Sequence, residues 1–327
     1  MLVSALAVAG ALWPPGAVTL EDPELGSIEV AWRCDEERSG RCFIGGDGSK
    51  TVVVWYRSSA PGLQLWAEVL LAPFDDMLAR AEAVEVFAAG ESAQVDVHAL
   101  IWRGRPLVVG KPVAYAMDLI ATDAPSRSNS GMLILADPRG GLREARREAA
   151  AVLNAWQRIG ISGRLVADRL DRTELLDSLA ASFAFQFIGH GERGAYVADS
   201  DDLWDTELQL ADGSSLGVDD VLATLTTAPR VVILSACETG LVDARALGGG
   251  FAVAHAFLSR GSAAVIATTR PVDDGAAARL MQAFYAPVKA PVDLLDPALL
   301  SRAQATMLAG ESCDERPDVC AYRAWIP

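Results

Sequence analysis

Hydrophobic residues follow two different patterns in the two halves of the chain. In the first half, short apolar stretches alternate with turn residues, and one of them, TVVVWYR at Thr51–Arg57, is rich in β-branched and aromatic residues. Such residues favour strands. We therefore expect residues 21–121 to form a β-rich, sandwich-like domain. One short helix is predicted at Phe74–Ala83, where Asp75 and Asp76 favour a helix N-terminus.

The second half alternates apolar strands with helical segments. Five strands are predicted, in GMLILADPRG, GRLVAD, FAFQFIGHG, RVVILSAC and SAAVIATTR. Segments of helical periodicity separate them, beginning with LREARREAAAVLNAWQRIG. Alternating β and α units with almost wholly apolar strands predict an α/β fold, a doubly wound and mostly parallel sheet with helices on both faces. The polar residues 122–130, TDAPSRSNS, predict a linker, so that the α/β domain spans residues 131–327.

The first 20 residues form an apolar segment without a charged side chain. This segment lacks the basic start of a signal peptide and is too short to span a bilayer before Pro14 and Pro15. Three interpretations remain open: a buried strand, an atypical signal or anchor, or the start of a fragment. We expect no integral membrane domain and a cytoplasmic protein; the alternative is a protein exported or associated with a membrane through this segment.

Charge and cysteine content narrow the class of partner. The chain of 327 residues is 51% hydrophobic and carries a net charge of -15, which repels phosphate backbones, so we expect no nucleic-acid partner. Its five cysteines include no C-x-x-C pair, and we expect no metal site. The pairs Cys34/Cys42 and Cys313/Cys320 are close enough in sequence to form disulfides in an oxidising compartment. The sequence leaves that pairing open.

Two residues with the chemistry of a base and a nucleophile follow the third and fourth predicted strands. FQFIGHG ends with His190 and Gly191, and VVILSACETG contains Cys237. Sites in parallel sheets form outside the carboxyl ends of the strands, so His190 and Cys237 emerge side by side if the two strands are neighbours. A nearby imidazole helps a thiol to lose its proton. Gly191 has no side chain, so its N–H and that of Cys237 are candidates for an oxyanion hole.

Each of these residues also has a structural interpretation. A single cysteine at a strand end is usually a small buried hydrophobe, and a single histidine is usually hydrogen-bonded structure. The occurrence of both at two strand ends favours a functional pair. By contrast, His98 in an alternating stretch and His255 in an apolar helix are expected to be structural. A nucleotide site is disfavoured because no phosphate-loop pattern accompanies Gly248–Gly250.

These motifs resemble the CHAT domain, a caspase-like family related to separase and gingipain. The shared features are His-Gly after one strand and Ala-Cys after another, with further similarity in LADPRG, ALGGGFAVAHAFLSRGSAAVIAT and PVDD, over residues 130–327. The histidine precedes the cysteine by about 50 residues, as in caspases. The resemblance implies a caspase-like fold and a cysteine endopeptidase that needs no cofactor. Cys237 is then the nucleophile and His190 the general base.

The resemblance also implies a binding site for the residue before the cut, P1. Separase-like members cut after a basic residue, using an acidic side chain in the loop that follows the fifth strand. The candidate acids here are Asp274 and, second, Asp273, although both are also placed to cap the helix that begins there. Arg270 replaces the usual tryptophan before the PV pair and would neutralise such a pocket. We expect a protein substrate or partner, and the oligomeric state is unknown. The alternative function is a catalytically silent CHAT-type interaction or scaffold domain in a signalling or defence system.

Overall fold

The computed structural model describes residues 16–22, 26–35, 41–45, 67, 71, 74–87, 95–117, 131–166, 170–193, 206–241 and 252–327. Its strands are β1 (Gly16–Asp22), β2 (Gly26–Asp35), β3 (Arg41–Gly45), β4 (Val84–Phe87), β5 (Ile101–Trp102), β6 (Arg105–Pro106), β7 (Val113–Ala116), β8 (Met132–Ala136), β9 (Gly163–Val166), β10 (Ala184–Ile188), β11 (Gly191–Arg193), β12 (Thr206–Gln209), β13 (Ser215–Leu216), β14 (Val231–Ser235), β15 (Ala264–Thr268) and β16 (Tyr322–Ile326).

Its α-helices are α1 (Asp75–Arg80), α2 (Leu107–Gly110), α3 (Ala145–Arg158), α4 (Arg172–Ala181), α5 (Val218–Thr224), α6 (Val253–Ser259), α7 (Asp274–Tyr285) and α8 (Ala298–Leu308). The short helix predicted at Phe74–Ala83 is confirmed as α1, and its first turn contains Asp75 and Asp76. Acidic side chains are favourable there because they face the positive end of the helix dipole.

An eight-stranded sheet forms the centre of the fold, in the order β4-β7-β16-β15-β14-β10-β8-β9. Every neighbouring pair is parallel except β15 and β16, which are antiparallel. Strands β10 and β14 lie in the middle and are buried along their whole length. The mostly parallel α/β sheet predicted from the sequence is confirmed.

Helices cover both faces of this sheet. Phe185 and Val232 belong to a core that includes α4, α5 and α6, whereas Ile188 and Ile233 belong to a second core with α3, α7 and α8. Successive side chains of a strand point to opposite faces, so a strand buried on both sides must be apolar at nearly every position. This explains why the central strands are apolar without alternation.

Strands from the first half of the chain complete the same sheet. β7 pairs with β16, with Tyr115 opposite Trp325, and β4 pairs with β7. Residues 84–116 were expected to belong to a separate β-rich domain, and the structure instead joins their strands to the α/β sheet. The sequence did not reveal this because β4 and β7 are only four residues long and their partner follows about 200 residues later. The linker predicted at 122–130 lies outside the described residues.

The N-terminal region contains a separate antiparallel sheet of β1, β2 and β3. In its register, Cys34 lies opposite Cys42. The strand predicted at Thr51–Arg57 and the apolar residues 1–15 lie outside the described residues. The extent of the β-rich N-terminal domain therefore stays a prediction.

A buried ionic cluster anchors residues 95–117 to the C-terminal part of the sheet. The Asp96 carboxylate accepts hydrogen bonds from Arg323 Nε at 2.8 Å and from Arg270 Nη2 at 2.6 Å. Burial by itself would raise the pKa of Asp96, but the charges of Arg323 and then Arg270 hold it below the usual value. Arg323 is only 1% exposed, so this pairing satisfies a charge that has almost no access to water.

His98 and a disulfide lie beside this cluster. The His98 ring is 2.7 Å from Tyr115 Oη and 3.0 Å from the Cys320 carbonyl oxygen, and burial lowers the pKa of His98 to about 4. Cys320 forms a disulfide with Cys313, with Cα atoms 5.6 Å apart. His98 is therefore a structural residue with a neutral ring, as expected. His255 is also buried, with its ring packed on Trp325 at a centroid distance of 4.6 Å.

Candidate active site

His190 and Cys237 follow the carboxyl ends of two neighbouring strands. β10 and β14 are parallel, and Ile188 pairs with Ser235 in their register. Each candidate residue lies two positions beyond that pair, so the two occupy the same level outside the sheet. The Gly189 N–H donates to the Ser235 carbonyl at 3.2 Å, which keeps the two chains together past the last strand residue. Both His190 and Cys237 are half-buried.

Gly191 lies directly against the backbone of Cys237. A Cβ atom at position 191 would be 2.2 Å from the Cys237 carbonyl oxygen, closer than real Cβ atoms approach any atom. Only glycine allows this approach without a shift of one of the two chains. The Gln209 N–H donates to the His190 carbonyl at 3.0 Å, so the segment is also held from the β12 side. The structure thus brings the backbone of Gly191 to that of Cys237.

The turn after β8 forms a third side of this edge. The Asp137 N–H donates to the Ile188 carbonyl at 2.6 Å, and Asp137 Oδ2 accepts from the Leu142 N–H at 3.1 Å. Gly141, with φ of 110°, lies beside the imidazole: a Cβ there would be 3.7 Å from His190 Nε2. This turn corresponds to the LADPRG stretch, which the sequence marked only as a shared motif. Its position next to His190 could not be read from the sequence.

Cys237 begins a tight turn that is tied to the neighbouring strand. It is a free thiol, and Glu238 after it has a left-handed φ of 58°, which is uncommon for a residue with a side chain. The Thr239 hydroxyl donates to the Ala236 carbonyl at 3.3 Å, and the Gly240 N–H donates to the Thr268 carbonyl at 2.7 Å. The turn directly after Cys237 is therefore fixed against β15.

Asp273 and Asp274 both hold backbone N–H groups. Asp273 is the N-cap of α7 and accepts from the Ala276 N–H at 2.9 Å. Asp274 Oδ2 accepts from the N–H groups of Arg143 at 3.0 Å and Glu144 at 3.3 Å, just ahead of α3. The capping role considered for these aspartates at α7 is thus observed for Asp273, whereas Asp274 bonds the backbone ahead of α3 instead. Arg270 instead bonds Asp96 and the Cys320 carbonyl oxygen.

A buried carboxyl group lies beneath the two strand ends. Glu148 on α3 is 2% exposed; its Oε1 accepts from Gln186 Nε2 at 2.9 Å and its Oε2 from the Ser235 hydroxyl at 3.3 Å. Gln186 belongs to the strand that leads to His190, and Ser235 ends the strand that leads to Cys237. Burial raises the pKa of Glu148 to about 7, against the lowering effect of these hydrogen bonds.

Two buried tyrosines extend this polar group. The Tyr285 hydroxyl donates to Gln186 Oε1 at 2.6 Å, and Tyr322 Oη lies 3.2 Å from Ser235 Oγ. Burial, the charge of Glu148 and, more weakly, that of Cys237 raise the pKa of Tyr322 far above its usual value. This polar group was not predicted from the sequence. Its one available signal was a glutamate on the apolar face of the α3 pattern, flanked by Ala145 and Val152 at helical spacing.

Comparison with solved structures shows that the fold is caspase-like. The chain is similar to the Arg-specific cysteine proteinase gingipain R, with a TM-score of 0.53 and 13% identity over 82% of this chain and 67% of that chain. The complex of the Porphyromonas gingivalis RgpB pro- and mature domains is similar with a TM-score of 0.55 and 12% identity, over 82% of this chain and 69% of that chain. The Saccharomyces cerevisiae separase–securin complex is similar with a TM-score of 0.50 and 12% identity. That match covers 74% of this chain but only 15% of the matched chain.

The chain belongs to the CHAT domain family, whose model matches residues 60–324. The match starts well before residue 130, where the sequence resemblance was recognised, and it includes β4 and β7. No curated protein matches the chain in sequence. Among the helices that the structure describes, none is long and apolar enough to cross a membrane. The described residues also contain no cluster of three or more His, Cys, Asp or Glu suited to a metal ion.

Proposed function

We propose that this CHAT domain is a cysteine endopeptidase with Cys237 as nucleophile and His190 as base. The observation that carries the proposal is the position of both residues, two beyond a paired Ile188 and Ser235 on adjacent parallel strands. His190 takes the thiol proton, and the Cys237 thiolate attacks the scissile carbonyl. The peptide C–N bond then breaks, and the amine leaves with the proton from His190. Water hydrolyses the resulting thioester and restores the thiol.

The N–H groups of Gly191 and Cys237 are the proposed oxyanion hole. The approach of the Gly191 backbone to that of Cys237 supports this, because two N–H groups from neighbouring backbones can converge on one oxygen. A side chain at position 191 would push the two backbones apart. The absence of a side chain at Gly191 is therefore part of the proposed mechanism.

A basic P1 residue is the proposed specificity, with Asp274 and then Asp273 as its partners. The gingipain to which the fold is similar is described as Arg-specific. Both carboxylates also accept backbone N–H groups, so a P1 guanidinium would have to share them. A carboxylate has about four acceptor positions, which leaves room for a second donor.

The proposed partner is a protein, taken as substrate or as regulator, and not a nucleic acid. The net charge of -15 supports this, as does the similarity to a separase that is bound to securin. The sequence favoured a cytoplasmic location. The Cys313–Cys320 disulfide instead supports the exported alternative, because disulfides persist mainly in oxidising compartments.

The proposal is tested with purified wild type, Cys237→Ser and His190→Ala. We expect wild type to cleave peptides with P1 Arg or Lys faster than matched peptides with P1 Gln, and both variants to lose at least about 1,000-fold in kcat/KM. Circular dichroism spectra establish that the variants are folded. Cleavage by Cys237→Ser at the wild-type rate would exclude Cys237 as nucleophile.

A catalytically silent interaction domain is the second candidate, favoured by one observation. Both proposed P1 acids already accept backbone N–H groups, so neither carboxylate is free of backbone partners. On this alternative, a partner protein captured by the wild type is also captured by Cys237→Ser, and no cleavage product forms. Release of a cleaved partner by wild type alone would reject it.

A further inference from the structure

Three oxygen atoms form a continuous chain beneath the proposed nucleophile. Ser235 Oγ lies 3.3 Å from Glu148 Oε2 and 3.2 Å from Tyr322 Oη. Ser235 is the last residue of β14, two positions before Cys237, and all three side chains are at most 5% exposed. Water therefore has little access to these three side chains, and their hydroxyl and carboxyl hydrogens must form hydrogen bonds within the group.

The hydrogen bonds around Gln186 determine which Glu148 oxygen can carry a proton. Tyr285 donates to Gln186 Oε1, so the amide presents its Nε2 hydrogens to Glu148 Oε1. That oxygen must act as an acceptor. When Glu148 is protonated, its hydrogen consequently lies on Oε2, the atom that faces Ser235.

The protonation state of Glu148 then sets the direction of the whole chain. An ionised carboxylate only accepts, so Ser235 donates to Glu148 and is itself free to accept from Tyr322. A protonated Glu148 donates to Ser235, and Ser235, which has a single hydrogen, donates to Tyr322. In the second arrangement the hydrogen of Tyr322 is no longer used within the chain.

We propose that Glu148, Ser235 and Tyr322 form a hydrogen-bond relay that tunes the acidity of the Cys237 thiol. Tyr322 Oη lies 3.2 Å from Ser235 Oγ, and Ser235 ends β14 two residues before Cys237, so the relay reaches the strand end that carries the thiol. In the proposed relay, the released Tyr322 hydrogen stabilises the Cys237 thiolate. The inference rests on the proposed function in taking Cys237 as the nucleophile. Ser235 and Glu148 do not touch the substrate and act as positioning residues.

Other charged and titratable groups face this relay. Asp274 at the start of α7 acts on Glu148 and raises its pKa, and Tyr285 faces it through Gln186. Asp318 acts on Tyr322 and raises its pKa. Both effects favour protonated Glu148 and neutral Tyr322. Glu148 has a pKa of about 7, so the state in which Glu148 is protonated and Tyr322 is released is populated as the pH falls below about 7.

The test measures the rate of iodoacetamide alkylation at Cys237 between pH 5 and 10, followed by mass spectrometry of the Cys237 peptide. The midpoint of the rate profile reports thiol acidity. Glu148→Gln fixes the protonated direction, because its oxygen accepts from Gln186 and its amide donates to Ser235. We expect a lower midpoint in Glu148→Gln. Adding Tyr322→Phe should raise it again by about one pH unit, a tenfold change in thiol acidity.

Two further variants separate the relay from a loss of structure. Ser235→Ala interrupts the chain, so Glu148→Gln should no longer shift the midpoint in that background. Tyr115→Phe removes a buried tyrosine hydroxyl of the same sheet that bonds His98 and no member of the relay, and its midpoint should equal that of wild type. Identical midpoints in Glu148→Gln and the Glu148→Gln/Tyr322→Phe double variant would overturn the proposal. Alkylation needs no peptidase activity, so a midpoint shift without cleavage rejects the proposed function alone, and cleavage without a shift rejects the relay alone.

Discussion

Asp96 and Glu148 are both buried carboxyl groups, but their surroundings give them opposite acidities. Asp96 lies between Arg270 and Arg323, and these charges hold its pKa below the usual value despite burial. Glu148 is bonded only to neutral groups, and burial raises its pKa to about 7. The comparison shows that burial alone does not decide the charge of a carboxyl group. Here a buried cation beside the carboxyl group decides whether it is charged.

The two carboxyl groups also serve different parts of the fold. Asp96 fixes the start of the loop after β15, where Thr269 Oγ1 donates to it at 3.2 Å and Arg270 pairs with it. Its charge is permanent over the physiological pH range. Glu148 lies under the strands that lead to His190 and Cys237, and it gains or loses its proton near neutrality. One group is a fixed anchor, and the other is able to report pH.

The ionic cluster is broken most directly by Asp96→Asn. Arg323 would keep its charge in a buried site without a counter-ion, so we expect a loss of about 3–5 kcal/mol in the free energy of unfolding. Urea denaturation at pH 7 measures it. Asp75→Asn is the matched control, because Asp75 pairs with Arg103 at the surface and should cost far less. Equal losses in the two variants would contradict the account of the cluster.

Glu148→Gln tests the contribution of Glu148 to the pH dependence of the unfolding free energy. In the wild type the folded state binds the Glu148 proton more tightly than the unfolded chain does. The contribution of this group is fully present below the unfolded value of 4.5, and it is lost as the pH rises through about 7. We expect the wild type to lose about 3 kcal/mol from this group between pH 4 and pH 8.

Glutamine cannot ionise, so the variant should lack that loss. Urea denaturation of both proteins at pH 4, 6 and 8 provides the measurement, and the difference between them should favour the variant increasingly as pH rises. Curves that remain parallel across this range would show that Glu148 ionises as easily in the folded protein as in the unfolded chain.

Asp273→Ala removes an exposed carboxylate, and we expect it to have the smallest effect on stability of the three variants. Loss of the N-cap of α7 should cost about 1 kcal/mol of unfolding free energy. If Asp273 also assists P1 binding, KM for a peptide with P1 Arg should rise while KM for the matched P1 Gln peptide stays constant. Asp273→Ser keeps a capping hydroxyl, so it should restore stability without restoring the preference for Arg.

The sequence predicted the centre of the sheet because each strand there is apolar at nearly every position and helical patterns separate the strands. It also placed His190 and Cys237 at strand ends, and the observed adjacency of β10 and β14 supplies the geometry that the pairing required. Their catalytic roles remain proposals. Strands β4 and β7 were assigned to a separate domain because a pairing between distant segments leaves no local signal. The bonds of Glu148 could not be predicted for the same reason, since its partners Gln186 and Ser235 come from two distant strands.

The pairing of β7 with β16 has a consequence for the order of synthesis. β7 emerges from the ribosome about 200 residues before its partner, which corresponds to tens of seconds of translation at about 5–20 residues per second. Until β16 is made, β7 and β15 each lack one neighbour and Asp96 lacks Arg323. The strands that lead to His190 and Cys237 are synthesised before β16. Assembly of the sheet, and with it the burial of Asp96, therefore waits for the last residues of the domain to be made.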